Sequence, residues 1–190
     1  MRIAVVAYEG FTDIDLFLPF DFFHRVKVPY GAGYAGPWTV RLLADRPRLT
    51  SYSGVAVEAH GPLSETASAD AVFIVSGDGS RAKLADPAFM GALRLDPARQ
   101  VIGAIDSGAL ILAGLGLLDG LSATTYPTVM PELEAMGVAT ENRALVVHGN
   151  VATGGGCLAG LDLCAWMVDR LLGPTAAARV RSSFDANPRV

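Results

Sequence analysis

Short, continuous apolar runs recur along the chain, each bounded by residues that are typical of turns. A strand buried on both faces of a sheet carries such a run, whereas a strand with one solvated face alternates apolar and polar residues. The runs therefore predict buried strands at 3–8, 38–43, 55–59, 71–75, 101–105 and 122–126. Residues 144–153 alternate instead, which predicts a hairpin that turns at His148-Gly149-Asn150.

Helical patterns separate these strands. Apolar residues spaced three or four positions apart predict helices at 13–25, 86–95, 107–118, 129–136, 154–172 and 175–183. Strands that alternate with helices indicate a mostly parallel sheet. We therefore predict the α/β class and a flavodoxin-like, three-layer sandwich, in which helices cover both faces of a mostly parallel central sheet. No linker-like stretch interrupts the pattern, so residues 1–190 are predicted to form a single domain.

The composition argues against several functional classes. Hydrophobic residues make up 51% of the chain, which suits a packed core rather than a disordered protein. The net charge of −4, with no cluster of Lys and Arg, argues against nucleic-acid binding. The longest apolar stretch, residues 101–118, is interrupted by Asp106, and a membrane span needs about 20 uninterrupted apolar residues. Because the first residues also lack a signal-peptide pattern, we expect a soluble, cytoplasmic protein.

The cysteine and histidine patterns predict neither a disulfide nor a metal site. Cys157 and Cys164 fall in one apolar helical segment, where their spacing corresponds to about 10 Å of helix rise. That distance is beyond disulfide reach, so both are expected to be buried thiols on one helix face. The three histidines are scattered without metal-ligand spacing. We expect no metal and no cofactor.

The most informative functional signal is the junction between a strand and a helix at residues 101–109. A β-branched run ends at Asp106, and Ser107-Gly108 opens an apolar helical pattern. A sharp turn of this kind raises one side chain, usually a nucleophile, beside backbone N–H groups that can stabilise negative charge. Here the raised side chain is a carboxylate. Ligands bind at the carboxyl ends of parallel strands, so Asp106 is predicted to lie in the functional site.

Five motifs keep the order and spacing that one known family shows. They are DLFLPFD at 15–21, VSGD at 75–78, AIDSGA at 104–109, ATTY at 123–126 and GNVATGGG at 149–156. Together they resemble the ThiJ/PfpI family of the class I glutamine-amidotransferase-like superfamily, and most closely its isonitrile hydratase branch. The resemblance implies a homodimer that acts on a small molecule. For that branch, it implies water addition to an isonitrile carbon, which gives an N-substituted formamide.

The departures from the family motifs concern the residues that perform the chemistry. The family's nucleophilic cysteine is Asp106 in this chain, the last residue of its Ala-Thr-Thr-His segment is Tyr126, and the second glycine of its Pro-Gly-Gly segment is Asp78. Because both cysteines are expected on another helix, thiolate chemistry at the junction is excluded. Tyr126 and the adjacent Thr125 are expected to line the pocket.

The resemblance also implies roles for the residues around Asp106. Asp15 matches the family's acid that hydrogen-bonds the nucleophile, so the carboxylates of Asp15 and Asp106 are expected to face each other at hydrogen-bond distance. The backbone N–H of Ser107, with that of Gly77 or Asp78, would form an oxyanion site. Two carboxylates this close cannot both ionise, so the pair is expected to share a proton.

Three hypotheses follow for the carboxyl pair. A protonated acid beside a carboxylate can protonate one substrate atom and activate water at another. The leading hypothesis is therefore a small-molecule hydratase that uses Asp15, Asp106 and Ser107 as catalytic residues. A second makes Asp106 a covalent nucleophile. The third is a non-catalytic protein that binds a small molecule or acts in regulation, because a helix start favours an anion without any catalysis.

Overall fold

The core of the fold is a seven-stranded sheet. The computed structural model describes residues 1–185, so residues 186–190 of the predicted domain lie outside the described residues. The strands are β1 (Arg2–Val6), β2 (Thr39–Ala44), β3 (Arg48–Thr50), β4 (Ala56–Glu58), β5 (Gly61–Pro62), β6 (Ala71–Ile74), β7 (Val101–Ile105), β8 (Ser122–Ala123), β9 (Ala139–Thr140), β10 (Leu145–His148) and β11 (Val151–Gly154).

Helices follow most of the sheet strands. They are α1 (Asp13–His24), α2 (Ser80–Leu84), α3 (Pro87–Ala92), α4 (Gly108–Gly114), α5 (Met130–Ala135), α6 (Gly160–Leu172) and α7 (Pro174–Ser182). Two short 3₁₀ segments, Leu63–Ser68 and Cys157–Ala159, complete the helical elements of the described residues. Within these residues, no helix is both long enough and apolar enough to cross a membrane.

The strand order of the sheet is β10-β11-β7-β6-β1-β2-β5. Every neighbouring pair is parallel except the hairpin of β10 and β11. The predicted α/β sandwich with a mostly parallel central sheet is therefore confirmed. The carboxyl ends of β1, β6, β7 and β11 lie at one edge of the sheet, because these four strands run in the same direction.

The central strands are buried on both faces by two groups of helices. Helices α1, α6 and α7 contact one another, and α2 to α5 form a second connected group. Every residue of β6 and β7 is buried. Phe73 of β6 packs edge-on against Phe23 of α1, with ring centroids 6.2 Å apart. Gly103 of β7 lets α6 approach closely, since a Cβ there would meet Met167 Sδ at 2.9 Å.

Several predicted elements have different bounds in the structure. The strand predicted at 55–59 is β4, which pairs with β3 outside the main sheet. The helix predicted at 86–95 begins after Asp86, whose carboxylate caps α3 by accepting the N–H groups of Ala88 and Phe89. The helix predicted at 154–172 begins only at Gly160, because Gly154 still belongs to β11. The expectation that both cysteines lie on one helix face is therefore wrong for Cys157, which lies in the turn before α6.

Candidate functional site

Asp106 lies at the crest of the sharp turn between β7 and α4. Its φ of 50° is the only positive value for a non-glycine residue among the described residues. Aspartate tolerates this left-handed conformation better than most residues. The turn is held by the Asp106 N–H, which donates to the carbonyl of Gly154 at 2.8 Å. Gly108 makes the turn tight, since a Cβ there would lie 2.7 Å from the carbonyl oxygen of Val75.

Asp15 lies in the first turn of α1 and is only 2% exposed. Its Oδ2 accepts hydrogen bonds from the Ser76 hydroxyl and from the Cys157 thiol, the latter at 3.4 Å. Its Oδ1 is buried and has no hydrogen-bond partner in the described part of the chain. Burial raises the pKa of this carboxyl, and the two donors oppose the rise.

Cys157 completes a three-residue cluster with the two aspartates. Its Sγ and one carboxylate oxygen from each of Asp15 and Asp106 all lie within 4.8 Å of one another. The expected exclusion of thiol chemistry from this site rested on placing Cys157 on a distant helix face, and the structure overturns it. Three donor atoms at this spacing are also close enough for a cation to contact all of them.

The sheet topology explains how Cys157 reaches the site. Strand β11 is parallel to β7, and Gly154 pairs with Ile105, the residue before Asp106. The chain beyond β11 therefore leaves the sheet beside the chain beyond β7. Cys157 follows β11 by three residues and is partly buried. The signal that could have identified it is the direction of β11, because only a strand parallel to β7 delivers the next segment to this edge.

The electrostatics of the cluster disfavour full ionisation, whereas a proton shared directly between the two carboxyl groups stays a prediction. Burial, followed by the charge of Asp15, raises the pKa of Asp106 to about 6, although the Ser107 N–H and the charge of Arg81 lower it. Burial, followed by the charge of Asp15, raises the pKa of the Cys157 thiol to about 12. At neutral pH the thiol is therefore the proton donor in its contact with Asp15. The aspartates and the thiol hold their protons more tightly here than in water.

The residues assigned to an oxyanion site form a compact hydrogen-bonded unit. The Gly77 N–H donates to the Ser107 hydroxyl at 3.1 Å, and the Ser107 N–H donates to the Asp106 carboxylate. Gly77 has a φ of 148°, and a Cβ there would overlap the carbonyl of Gly10. The Asp78 side chain is exposed. The oxyanion role of these N–H groups stays a prediction, since both groups point at partners within the protein.

Thr125 and Tyr126 line a groove of about 310 Å³ together with Cys157. Tyr126 is 47% exposed, and Thr125 is buried with an Oγ1 that has no partner among residues 1–185. Arg143 and Leu158 line the same groove. Of the three clustered residues, Cys157 is the one that lines this groove, so a molecule bound there would contact the sulfur first.

Two further polar groups lie near the carboxyl pair, and sequence reasoning assigned a role to neither. Ser76 directly follows β6 and donates its hydroxyl to Asp15. Tyr8 is fully buried and donates to the carbonyl of Val75 at 2.8 Å. Burial and the two nearby carboxylates raise the pKa of Tyr8 well above its usual range, so its hydroxyl stays neutral. The signal for Ser76 was its position at the carboxyl end of a buried strand.

Comparisons with known proteins agree with this architecture. The model of the DJ-1/PfpI family matches residues 1–170. Isonitrile hydratase of Pseudomonas putida is 26% identical over 141 residues, which cover 74% of this chain and 62% of that protein. The HTH-type transcriptional regulator GlxA of Rhizobium meliloti is 35% identical over 136 residues, which cover 70% of this chain and 42% of the regulator. The chain thus spans less than two thirds of the length of either curated relative.

A solved structure shows the same fold over the whole chain. The crystal structure of a ThiJ/PfpI family protein from Pseudomonas syringae has a TM-score of 0.84 and 27% identity, and the match covers 100% of this chain and 77% of that one. The resemblance inferred from the five sequence motifs is therefore confirmed.

Proposed function

Because the chain belongs to the DJ-1/PfpI family, we propose that it is a small-molecule hydratase that adds water to an isonitrile carbon. The observation that supports this most strongly is the pair of carboxyl groups at the turn. One oxygen of Asp15 lies within 4.8 Å of one oxygen of Asp106, and the pKa of Asp106 is raised to about 6. The similarity to isonitrile hydratase is consistent with this substrate class.

The two carboxyl groups divide the acid and base work of hydration. Protonated Asp106 gives its proton to the isonitrile carbon, and ionised Asp15 accepts a proton from the water that attacks the same carbon. The product is an imidic acid, R–N=CH–OH, which rearranges to the formamide R–NH–CHO. The proton then passes from Asp15 to Asp106, so one water molecule is consumed and the enzyme is restored. General acid–base catalysis of this kind contributes about 10²–10⁴ in rate.

Burial raises the pKa of both acids, and their neighbours then set them different roles. Asp15 accepts hydrogen bonds from Ser76 and Cys157, and both bonds oppose the rise and favour its ionised form. Asp106 is raised further by the charge of Asp15, which favours its protonated form. Ser107 holds the Asp106 carboxylate through its N–H and binds Gly77 through its hydroxyl. Up to about pH 6, the pair therefore offers Asp106 as the proton donor and Asp15 as the proton acceptor.

A second candidate function is binding of a small molecule without turnover. The regulator GlxA is 35% identical to this chain over their matched region, which favours a regulatory role. The N–H groups of Gly77 and Ser107 already have partners inside the protein, which suits a site whose catalytic role has lapsed. In this case Asp106 would act as a polar contact for the ligand.

We further propose that the protein acts in the cytoplasm as a homodimer. Exposed apolar side chains support the dimer: Ile14 and Phe17 of α1 are 40% and 44% exposed, and Tyr52 is 75% exposed. These residues form one region, because the Tyr52 N–H donates to the carbonyl of Phe11 and the Phe11 ring contacts Phe17. Sedimentation of the purified protein tests this assembly directly.

The decisive experiment compares isonitrile turnover by the wild-type protein and by Asp106→Asn. Formation of the formamide is followed by NMR with an alkyl isonitrile, and Asp119→Asn, at an exposed position outside the site, serves as the matched control. We expect Asp106→Asn to lower kcat at least about 100-fold and Asp119→Asn to leave it unchanged. Turnover by Asp106→Asn at the wild-type rate would refute the mechanism. Saturable binding of the isonitrile with no product from the wild-type protein would favour the binding role.

A further inference from the structure

A thiol lies against the carboxyl pair, and the proposed acid–base scheme uses it only as a hydrogen-bond donor to Asp15. The Sγ of Cys157 donates to Asp15 Oδ2 at 3.4 Å, across 142 positions of the chain. The side chain is partly buried and lines the groove beside Tyr126. Cys164, by contrast, is fully buried in α6 among core residues. Only one of the two thiols therefore combines access to a ligand with a nearby proton acceptor.

Two buried polar atoms near this thiol are available to a ligand. The buried Oγ1 of Thr125 and the buried Oδ1 of Asp15 have no hydrogen-bond partner within residues 1–185. A buried polar atom left unpaired costs about 1–3 kcal/mol, so such atoms normally have a partner. Thr125 lines the same groove as Cys157, and Asp15 binds the thiol directly. A polar ligand seated at Cys157 would supply partners to the two orphaned atoms.

We propose that Cys157 is a catalytic residue, the nucleophile that attacks the substrate carbon while Asp15 accepts its proton and Asp106 protonates that carbon. This assignment rests on the hydratase function proposed above and replaces direct attack by water with a covalent step. Thiolates are strong nucleophiles, and a carboxylate at hydrogen-bond distance is a suitable general base for a thiol. The thiol comes from the 3₁₀ turn before α6.

The covalent route balances in two stages. In the first, Sγ bonds to the isonitrile carbon, the thiol proton passes to Asp15, and the Asp106 proton passes to the same carbon. The product is a thioimidate, R–N=CH–S–Cys157. In the second stage water adds to that carbon and gives one proton to Asp106, while Asp15 returns its proton to nitrogen. The C–S bond then breaks as the formamide carbonyl forms, and the hydroxyl proton moves to sulfur.

The electrostatics require deprotonation and attack to occur together. Burial and the charge of Asp15 hold the pKa of the Cys157 thiol at about 12, so the resting sulfur is a neutral thiol. A free thiolate would face two carboxylates within 4.8 Å. The proton therefore leaves Sγ only as the sulfur begins to bond to carbon, along the existing contact with Asp15.

Three variants separate a nucleophile from a group that only positions Asp15. Cys157→Ala removes both the sulfur and its hydrogen bond, whereas Cys157→Ser keeps a donor for Asp15 with a far weaker nucleophile. Cys164→Ser is the matched control for the loss of a thiol. With an alkyl isonitrile as the probe, we expect both Cys157 variants to lose at least about 100-fold in kcat and Cys164→Ser to keep wild-type turnover. Melting curves of all three verify folding.

Mass spectrometry of acid-quenched reactions provides the direct readout. We expect the wild-type protein to gain the mass of the isonitrile on the peptide that contains Cys157, and Cys157→Ser to show no such adduct. Wild-type turnover by Cys157→Ser would overturn the assignment and leave the hydratase function standing, with water as the nucleophile. Activity in Cys157→Ser but not in Cys157→Ala would also overturn it, since a hydrogen bond alone would then suffice. A wild-type protein that makes no formamide would refute the hydratase function, and this inference with it.

Discussion

Replacing Asp106 by asparagine should stabilise the folded protein at neutral and alkaline pH. The ionised carboxylate is partly buried and lies beside Asp15, and these two causes raise its pKa from its usual 3.8 to about 6. Asparagine has nearly the same shape, can accept the Ser107 N–H, and tolerates the left-handed backbone at this position. The substitution therefore removes the unfavourable charge with little other change.

The expected gain follows from the pKa of Asp106. Each pKa unit corresponds to about 1.36 kcal/mol, so ionised Asp106 destabilises the folded state by at most about 3 kcal/mol. Solvent screening of a side chain that is partly exposed reduces this to about 1–2 kcal/mol. Between about pH 4 and pH 6 the folded state binds more protons than the unfolded state, so wild-type stability falls as the pH rises through this range. The gain is complete above about pH 6 and absent below about pH 4.

Urea denaturation at about pH 4 and about pH 8 measures this difference. We expect Asp106→Asn to unfold at a higher urea concentration than the wild-type protein at the higher pH only. A thermal melt at that pH should show a rise in Tm of about 2–8 °C. Asp119→Asn, at an exposed position outside the site, serves as the control and should change neither midpoint. If Asp106→Asn is no more stable than the wild-type protein at about pH 8, the ionised Asp106 carboxylate does not destabilise the folded state.

Three further outcomes follow from the same geometry. Turnover should decrease as the pH rises through about 6, because Asp106 must be protonated to act as the acid. A pH profile of kcat measures this, and a kcat that increases over the same range would contradict that role. Ser76→Ala should raise the pKa of Asp15 by removing a donor, and the acidic limb of the profile should move to higher pH. Gly77→Ala should destabilise the fold by about 3 kcal/mol or more, because the added Cβ would overlap the carbonyl of Gly10. A melting curve like that of the wild-type protein would contradict this expected loss of stability.

Much of the fold and half of the site could be predicted from the order of elements along the chain. Residues 71–75 and 101–105 are apolar throughout, which is the pattern of strands covered on both faces. Polar residues that follow such strands lie at the ligand-binding edge of the sheet. This reasoning predicts Asp106 at the crest of its turn, where the structure has it. Asp15 was placed by resemblance to the family motif, and the structure brings it into the same cluster.

Cys157 could not be predicted, because its position depends on pairing between strands that are far apart in sequence. The three glycines at 154–156 have the composition of a helix start, and the apolar residues that follow continue a helical pattern. Whether Gly154 belongs to a helix or to a strand is decided by its pairing with Ile105. That pairing is a tertiary contact, and local sequence patterns contain no information on strand direction.

The contact between Cys157 and Asp15 spans 142 positions, which has a consequence for synthesis on the ribosome. Strand β11 must insert between β10 and β7 before the sulfur can reach the acids. A nascent chain that has not yet emerged past residue 157 holds the two aspartates without their thiol donor. Proteins emerge from the N-terminus onward, so the acids are translated well before the sulfur. The site is therefore completed only after residue 157 has been translated, well after both of its acids.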